Sequence, residues 1–215
     1  MDIAVDSIDA AVAQLRRGAV ILVADDTRRE NEVDAIIAAT TATPATVGWM
    51  IRHTSGFLCA PMTAERADRL GLAPMTDRNE DPHRTAYTVT VDARDVVSTG
   101  ISATDRALTL AALAHPATTP SDLLRPGHIV PLRARPGGTA ERGGHTEATV
   151  DLLALAGLPP VGALGELVHD DGEMVRLHEV RGAERFAGLP LISVDQVRDA
   201  RWGTRPERPD VALLR

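Results

Sequence analysis

Ala19-Val20-Ile21-Leu22-Val23-Ala24 is an unbroken apolar run of strand length, with no polar residue at alternate positions. Successive side chains of a strand point to opposite faces, so such a run is stable as a strand only where both faces are covered. It delivers Asp25 to a strand end. The flanking sequence supplies cover. Ser7 precedes Ile8, Ala11, Val12 and Leu15, and Gly18 follows, which reads as an N-cap, a helical apolar stripe and a stop. The alternation continues along the chain. Residues 44–51 and 63–70 read as helices, and 56–61 between them as a strand closed by Pro61. Residues 85–91 alternate and are rich in β-formers, which predicts a strand. An Ala/Leu-rich helix to about Leu113, a strand over 129–132, a helix from Thr146 and a strand over 161–168 follow. The chain closes with a helix over 178–186, a strand over 189–193 and a helix opening at Asp195. Helices and strands in alternation predict an α/β or α+β fold in one domain over residues 1–202. Residues 203–215, rich in charge and breakers, read as a mobile tail.

Composition narrows the function classes. With 2% aromatic residues in 215, the core must be built from Ala, Val, Leu and Ile, and platforms for stacking bases are scarce. A formal net charge of -7 adds to the case against nucleic acid as a partner. Any anion must be caught locally. Cys59 is the only cysteine, so no internal disulfide forms, and it reads as a small buried hydrophobe. Without an apolar N-terminal segment or a run long enough to span a bilayer, the expectation is a cytoplasmic protein with no membrane partner.

Chemistry concentrates in a few stretches. After the first strand come ten residues, Asp25 to Asp34, of which seven are charged. Glu30, Glu32 and Asp34 share a face if the segment is extended, and Glu30 and Asp34 share one if it is helical. Carboxylates brought together raise one another's pKa or recruit a hard cation, whereas a solvated loop is the plainer reading. Arg142-Gly143-Gly144-His145-Thr146-Glu147 places a forked cation, two permissive glycines and an imidazole ahead of a helix, an arrangement suited to an oxyanion and a metal or to an ordinary capped turn. Ser98 to Arg106 is a second hydroxyl-rich helix start, open to the same two readings. His128 follows Arg125-Pro126-Gly127 at a loop-to-strand corner. Glu166 lies inside an apolar run, so it is either at the strand's exposed end or a tuned functional group. The polar residues 75–84 form a loop too long for a plain turn.

Taken in order, these stretches resemble the 3,4-dihydroxy-2-butanone 4-phosphate synthase family of riboflavin biosynthesis, over nearly the whole chain to about Trp202. The motifs are Asp25-Asp26 with Arg29-Glu30-Asn31-Glu32, Ile51-Arg52-His53, residues 85–90, Thr99 to Arg106, Arg125-Pro126-Gly127-His128, Arg142 to Thr149, and Glu166. The resemblance implies a mixed sheet with surrounding helices and a homodimer whose active sites draw on both subunits. It also implies Mg²⁺ or Mn²⁺ dependence and a monofunctional form that converts ribulose 5-phosphate to the four-carbon phosphate and formate. Glu30 and His145 match the metal ligands. Arg29, Glu30, Asp34, Thr99, Ser102, Glu166 and the loop Arg142-Gly143-Gly144-His145-Thr146 match substrate-binding positions. Asp34, Cys59, His128 and Glu166 match catalytic ones, with Asp34 and Glu166 as proton carriers and His128 as positioner or acid.

Three residues depart from the family pattern, which has glycine at Val33, glycine at Arg84 and cysteine at Gly165. A valine resists positive φ, so the acidic loop is expected to close differently. Arg84 is expected to grip a phosphate or obstruct the pocket, and Gly165 to remove a side chain beside Glu166. These departures motivate one alternative, a sibling enzyme acting on another sugar phosphate or in a specialised pathway; a second, a non-catalytic ligand-binding paralogue, is opposed by the intact Glu30, His145, His128 and Glu166.

Overall fold

The computed structural model describes residues 5–204, so all but the first two residues of the expected tail lie outside the described residues. Helix α1 (Ile8–Arg16) starts on Ser7, whose hydroxyl accepts the Ala10 N–H at 3.2 Å, and Gly18 turns the chain away at φ 74°. Strand β1 (Ile21–Ala24) and strand β2 (Val33–Ala38) are buried along their whole length. Next come helix α2 (Pro44–His53), strand β3 (Cys59–Met62), helix α3 (Ala64–Arg69), strand β4 (Val91–Ala93) and helix α4 (Ala103–Ala114). Strand β5 (Leu123–Arg133), helix α5 (Gly138–Glu141), helix α6 (His145–Leu155) and strand β6 (Gly162–Glu166) lead to helix α7 (Leu177–Val180), strand β7 (Leu191–Ser193) and helix α8 (Val194–Trp202).

The strands form one mixed sheet in the order β4-β5-β3-β6-β2-β1-β7, with β1·β7 and β3·β5 parallel and the other pairs antiparallel. The apolar run sorts as its lack of alternation requires. Leu22 and Ala24 join the core with Val47 and Met50 of α2 and Leu110 and Leu113 of α4. Ile21 and Val23 join the opposite core with Leu15 of α1, Leu152 of α6 and Val197 of α8. Parity then places the chemistry. Ile36, Leu164 and Cys59 face the α6 side, and Asp34 and Glu166, each two residues from Ile36 or Leu164 and paired across the β2·β6 ladder, face it too.

Several local expectations are corrected. Of residues 85–91 only Val91 enters a strand; Tyr87 and Thr88 make isolated bridges to Leu132 and Pro74. Pro131 of β5 has no N–H to give this segment, and Thr88 instead donates both its backbone N–H and its hydroxyl to the Pro131 carbonyl, at 3.0 Å each. The strand expected over 56–61 runs instead over Cys59–Met62, one residue past Pro61, which is tolerated because the ladder to β6 holds Cys59 but not Pro61. His128 is not at a corner but inside β5, where the pairing with β4 jumps from Ile129 opposite Val91 to Leu124 opposite Asp92. The single helix expected over 178–186 is two short pieces, α7 and a 3-10 turn at Glu184–Phe186, separated near Gly182.

Candidate active site

The acidic stretch is organised by Asp25, at the end of β1. One carboxylate oxygen accepts the Glu32 N–H at 2.9 Å; the other accepts the Glu30 N–H at 3.0 Å and the Arg29 guanidinium at 3.0 Å. These bonds fold residues 25–32 into a loop that turns on Asn31, at φ 55°, a left-handed conformation asparagine tolerates. Val33 is not that hinge. It is a buried β2 residue, so its β-branch suits its place and the expected difference in loop closure does not arise.

Loop and sheet together line a cleft with Arg29, Glu30, Glu32, Asp34, Cys59, Arg142, His145, Thr146 and Glu166, joined by Thr85 and Tyr87. Glu30 contacts Arg29 closely and lies 3.7 Å from His83. Asp34 is buried, and its Oδ1 has no hydrogen-bond partner. Burial first, and then the neighbouring Glu166, Glu30, Glu32 and Asp25 carboxylates, hold its pKa well above the usual carboxylate range. Glu166 is the last residue of β6, at the cleft end of the strand, where Ser55 donates its hydroxyl to it at 2.6 Å.

His145 opens α6 and is buried beneath the loop. Its Nε2 lies 3.1 Å from the Val23 carbonyl. A carbonyl only accepts, so Nε2 carries the proton and the Nδ1 lone pair faces Asp34 at 3.5 Å and Glu30 at 3.9 Å. Burial, partly opposed by Asp25, lowers its pKa to about 4, so the ring is neutral at pH 7. Asp25, Glu30 and His145 bring one ligand atom each within 4.8 Å of one another. Of these, Asp25 has both oxygens engaged by the loop, while Glu30, His145 and the orphaned oxygen of Asp34 remain suited to a hard divalent cation.

The Arg142 motif adjoins the same cleft. Arg142 donates to buried Glu147 at 2.6 Å, to the Thr85 hydroxyl at 3.0 Å and to the His83 carbonyl at 3.1 Å, latching the 75–85 segment to the motif. No side chain caps the start of α6 at Gly144. A Cβ on Gly144 would lie 2.4 Å from the Arg142 guanidinium and push that side chain's end aside, whereas one on Gly143 would meet nothing within 4 Å.

Cys59 both lines the cleft and is buried; burial pushes its thiol well above the usual range, so it is present as the thiol. Arg84 does not line the cleft. It sits exposed at φ 54°, donating to the Asn79 carbonyl at 2.6 Å. Gly165 faces away from Glu166, since an added Cβ would meet Thr54 Oγ1 at 2.8 Å on the opposite side of the sheet.

Three residues of the predicted set lie elsewhere. His128 lines a separate cavity with Phe57, Ile101 and Arg106. Thr99 is exposed, and Ser102 caps α4 by accepting the Asp105 N–H at 3.1 Å. The Ser98–Arg106 helix start holds no open anion site: Asp105 itself accepts the N–H groups of Val97, Ser98 and Gly100. Sequence reasoning missed Thr85 and Tyr87 as cleft residues and Ser55 as the partner of Glu166. The period-two alternation of 85 and 87 was a signal for the first two, and Ser55 had none.

The chain matches the family described as 3,4-dihydroxy-2-butanone 4-phosphate synthase over residues 9–200. It is 57% identical over 191 residues to the riboflavin biosynthesis protein RibBA of Salinispora arenicola, a match covering 87% of this chain and 45% of that protein. To the protein of the same name from Salinispora tropica it is 56% identical over 208 residues, covering 97% and 51%. The chain thus spans about half the length of these relatives. A crystal structure of 3,4-dihydroxy-2-butanone 4-phosphate synthase in complex with two magnesium ions superposes with a TM-score of 0.87 at 40% identity, covering 93% of this chain and all of that one. The corresponding synthase of Candida albicans gives 0.84 at 42% identity, covering 92% and 98%. Among the described residues no helix is long and apolar enough to cross a membrane. The matched family spans the sheet, the acidic loop and the Arg142 motif together, and the chain belongs to the 3,4-dihydroxy-2-butanone 4-phosphate synthase family.

Proposed function

We propose that this domain converts D-ribulose 5-phosphate to 3,4-dihydroxy-2-butanone 4-phosphate and formate, with Mg²⁺ or Mn²⁺ as the metal. The observation that carries the reading is the placement of His145, whose Nε2 lies on the Val23 carbonyl and whose Nδ1 is turned toward Glu30 and Asp34 inside the carboxylate cluster. Glu30 and His145 hold the ion, and the magnesium complex of a structural neighbour supports the choice of metal. When bound, the ion holds substrate oxygens and acidifies the adjacent C–H. The chain's own groups do the rest. Arg142, Thr146 and the open start of α6 grip the phosphate, with Gly143 and Gly144 admitting it to the backbone. Arg29 and Glu30 contact the sugar. Asp34 and Glu166, neighbours across the β2·β6 ladder, exchange protons with its carbon chain, and the protonated Cys59 packs against it.

His128, Thr99 and Ser102 do not line this cleft. The homodimer reading accounts for them if a second copy presents them to it, and the exposed apolar residues Phe57 and Ile101 beside His128 support that surface as the contact. The activity proposed is that of the matched domain alone, placed in the cytoplasm with the rest of a soluble pathway. A sibling enzyme for another sugar phosphate loses its motive, since Val33, Arg84 and Gly165 all stay out of the cleft. The test is rescue of a riboflavin auxotroph lacking this step: the chain restores growth and His145→Ala does not. Rescue failure by a well-expressed, folded chain overturns the reading.

A further inference from the structure

Away from the cleft, both carboxylate oxygens of buried Asp92 in β4 are taken by one residue. Oδ1 accepts the backbone N–H of His128 at 2.9 Å, and Oδ2 lies 2.7 Å from its Nδ1. An ionised carboxylate only accepts, so Nδ1 bears the proton and Nε2 keeps its lone pair. Among the described residues no hydrogen bond occupies Nε2. The ring, 35% exposed, lines a cavity of about 240 Å³.

The surroundings are shaped to this pair. Gly100, at φ 96°, presses its backbone so close that a Cβ would lie 2.0 Å from Asp92 Oδ2 and 2.7 Å from His128 Nδ1. Asp105 holds that backbone by accepting the N–H groups of Val97, Ser98 and Gly100. The charged neighbour on α4, Arg106, is engaged instead with the Gly56 carbonyl at 3.1 Å.

We propose that Asp92 is the positioning residue of the reaction: it fixes His128 as the Nδ1–H tautomer, leaves Nε2 as the proton-accepting atom, and stabilises the imidazolium once Nε2 takes a proton. This rests on the reading above that His128 serves ribulose 5-phosphate turnover.

The test is Asp92→Asn in the full chain. Because one side-chain oxygen must still accept the His128 backbone N–H, the amide nitrogen of asparagine faces Nδ1 and donates to it, forcing the Nε2–H tautomer. Long-range ¹H–¹⁵N correlations on histidine-labelled protein, with the His128 signals identified by their loss in His128→Gln, should show Nδ1–H in the wild type and Nε2–H in Asp92→Asn. The kcat for ribulose 5-phosphate should fall on the order of a hundredfold or more, as for other carboxylate-oriented histidines, with KM nearly unchanged. A wild-type Nε2–H tautomer overturns the proposal without any variant, so misfolding of Asp92→Asn cannot shield it. A flipped tautomer with undiminished kcat overturns it also. A wild-type chain with no formate release would overturn the functional reading itself, which the active-but-insensitive result leaves standing.

Discussion

Val33→Gly and Arg84→Gly restore the glycines of the family pattern, and the structure gives them opposite consequences. Val33 is fully buried in β2. Removing its side chain forfeits about 1.5 to 3 kcal/mol of burial, and glycine in a strand costs a further 0.5 to 1 kcal/mol or so, before any cavity is counted. The expected loss is about 3 kcal/mol. Arg84 is exposed at φ 54°, where a non-glycine residue bears roughly 1 to 2 kcal/mol of strain. Relief of that strain is offset by the lost bond to the Asn79 carbonyl and by glycine's freedom in the unfolded chain, about 0.5 to 1 kcal/mol each. The net change is within about 1 kcal/mol of zero. Urea unfolding of both variants, with m-values checked for constancy, measures the difference. A Val33→Gly variant within about 1 kcal/mol of the wild type would refute the placement of Val33 in the core, as would an Arg84→Gly variant that loses as much as Val33→Gly.

Arg142→Ala should weaken ribulose 5-phosphate binding by about 1.5 to 3 kcal/mol while hardly changing that of unphosphorylated ribulose; equal loss on both, by titration calorimetry, would mark Arg142 as purely a latch for Glu147. Gly165→Cys should destabilise by about 1 to 3 kcal/mol, because its Cβ meets Thr54, with kcat preserved if the variant folds. Asp105, whose pKa is lowered from 3.8 to about 2 chiefly by the Ser98 hydroxyl, contributes stability that is present above about pH 4 and lost as pH falls toward 2. The urea midpoint of Asp105→Asn should therefore lie below the wild type's at pH 6 and converge with it near pH 2; a constant gap would contradict the linkage.

The two-faced burial of β1 was legible because a run without alternation has only one stable environment as a strand. Glu30, Glu32 and Asp34 do line one cleft, as the charge run suggested, but through a loop folded around Asp25 and not through an extended or helical segment. The partnership of Asp34 with Glu166 was not legible, since register between segments 132 positions apart is set by the β2·β6 ladder and not by either segment. Asp25 was seen only as a strand end, and its role as hub of the loop depends on backbone N–H groups that sequence does not display. The error at 85–91 has the same origin: alternation is a local signal, and Pro131 on the neighbouring strand decides whether a ladder can form. His128 stood in a motif of the right composition, but where the motif lies relative to the cleft depends on the strand order β4-β5-β3-β6-β2 and on its position along β5, which a local motif does not display.

The most direct test of the account is NMR of products from isotopically labelled ribulose 5-phosphate incubated with the chain and Mg²⁺, with and without excess EDTA, beside His145→Ala. The account predicts formate and the four-carbon phosphate in the presence of metal, none with EDTA, and a rate lower by about a hundredfold or more in His145→Ala. Formate release that is undiminished in EDTA, or equal in His145→Ala at limiting metal, would contradict it.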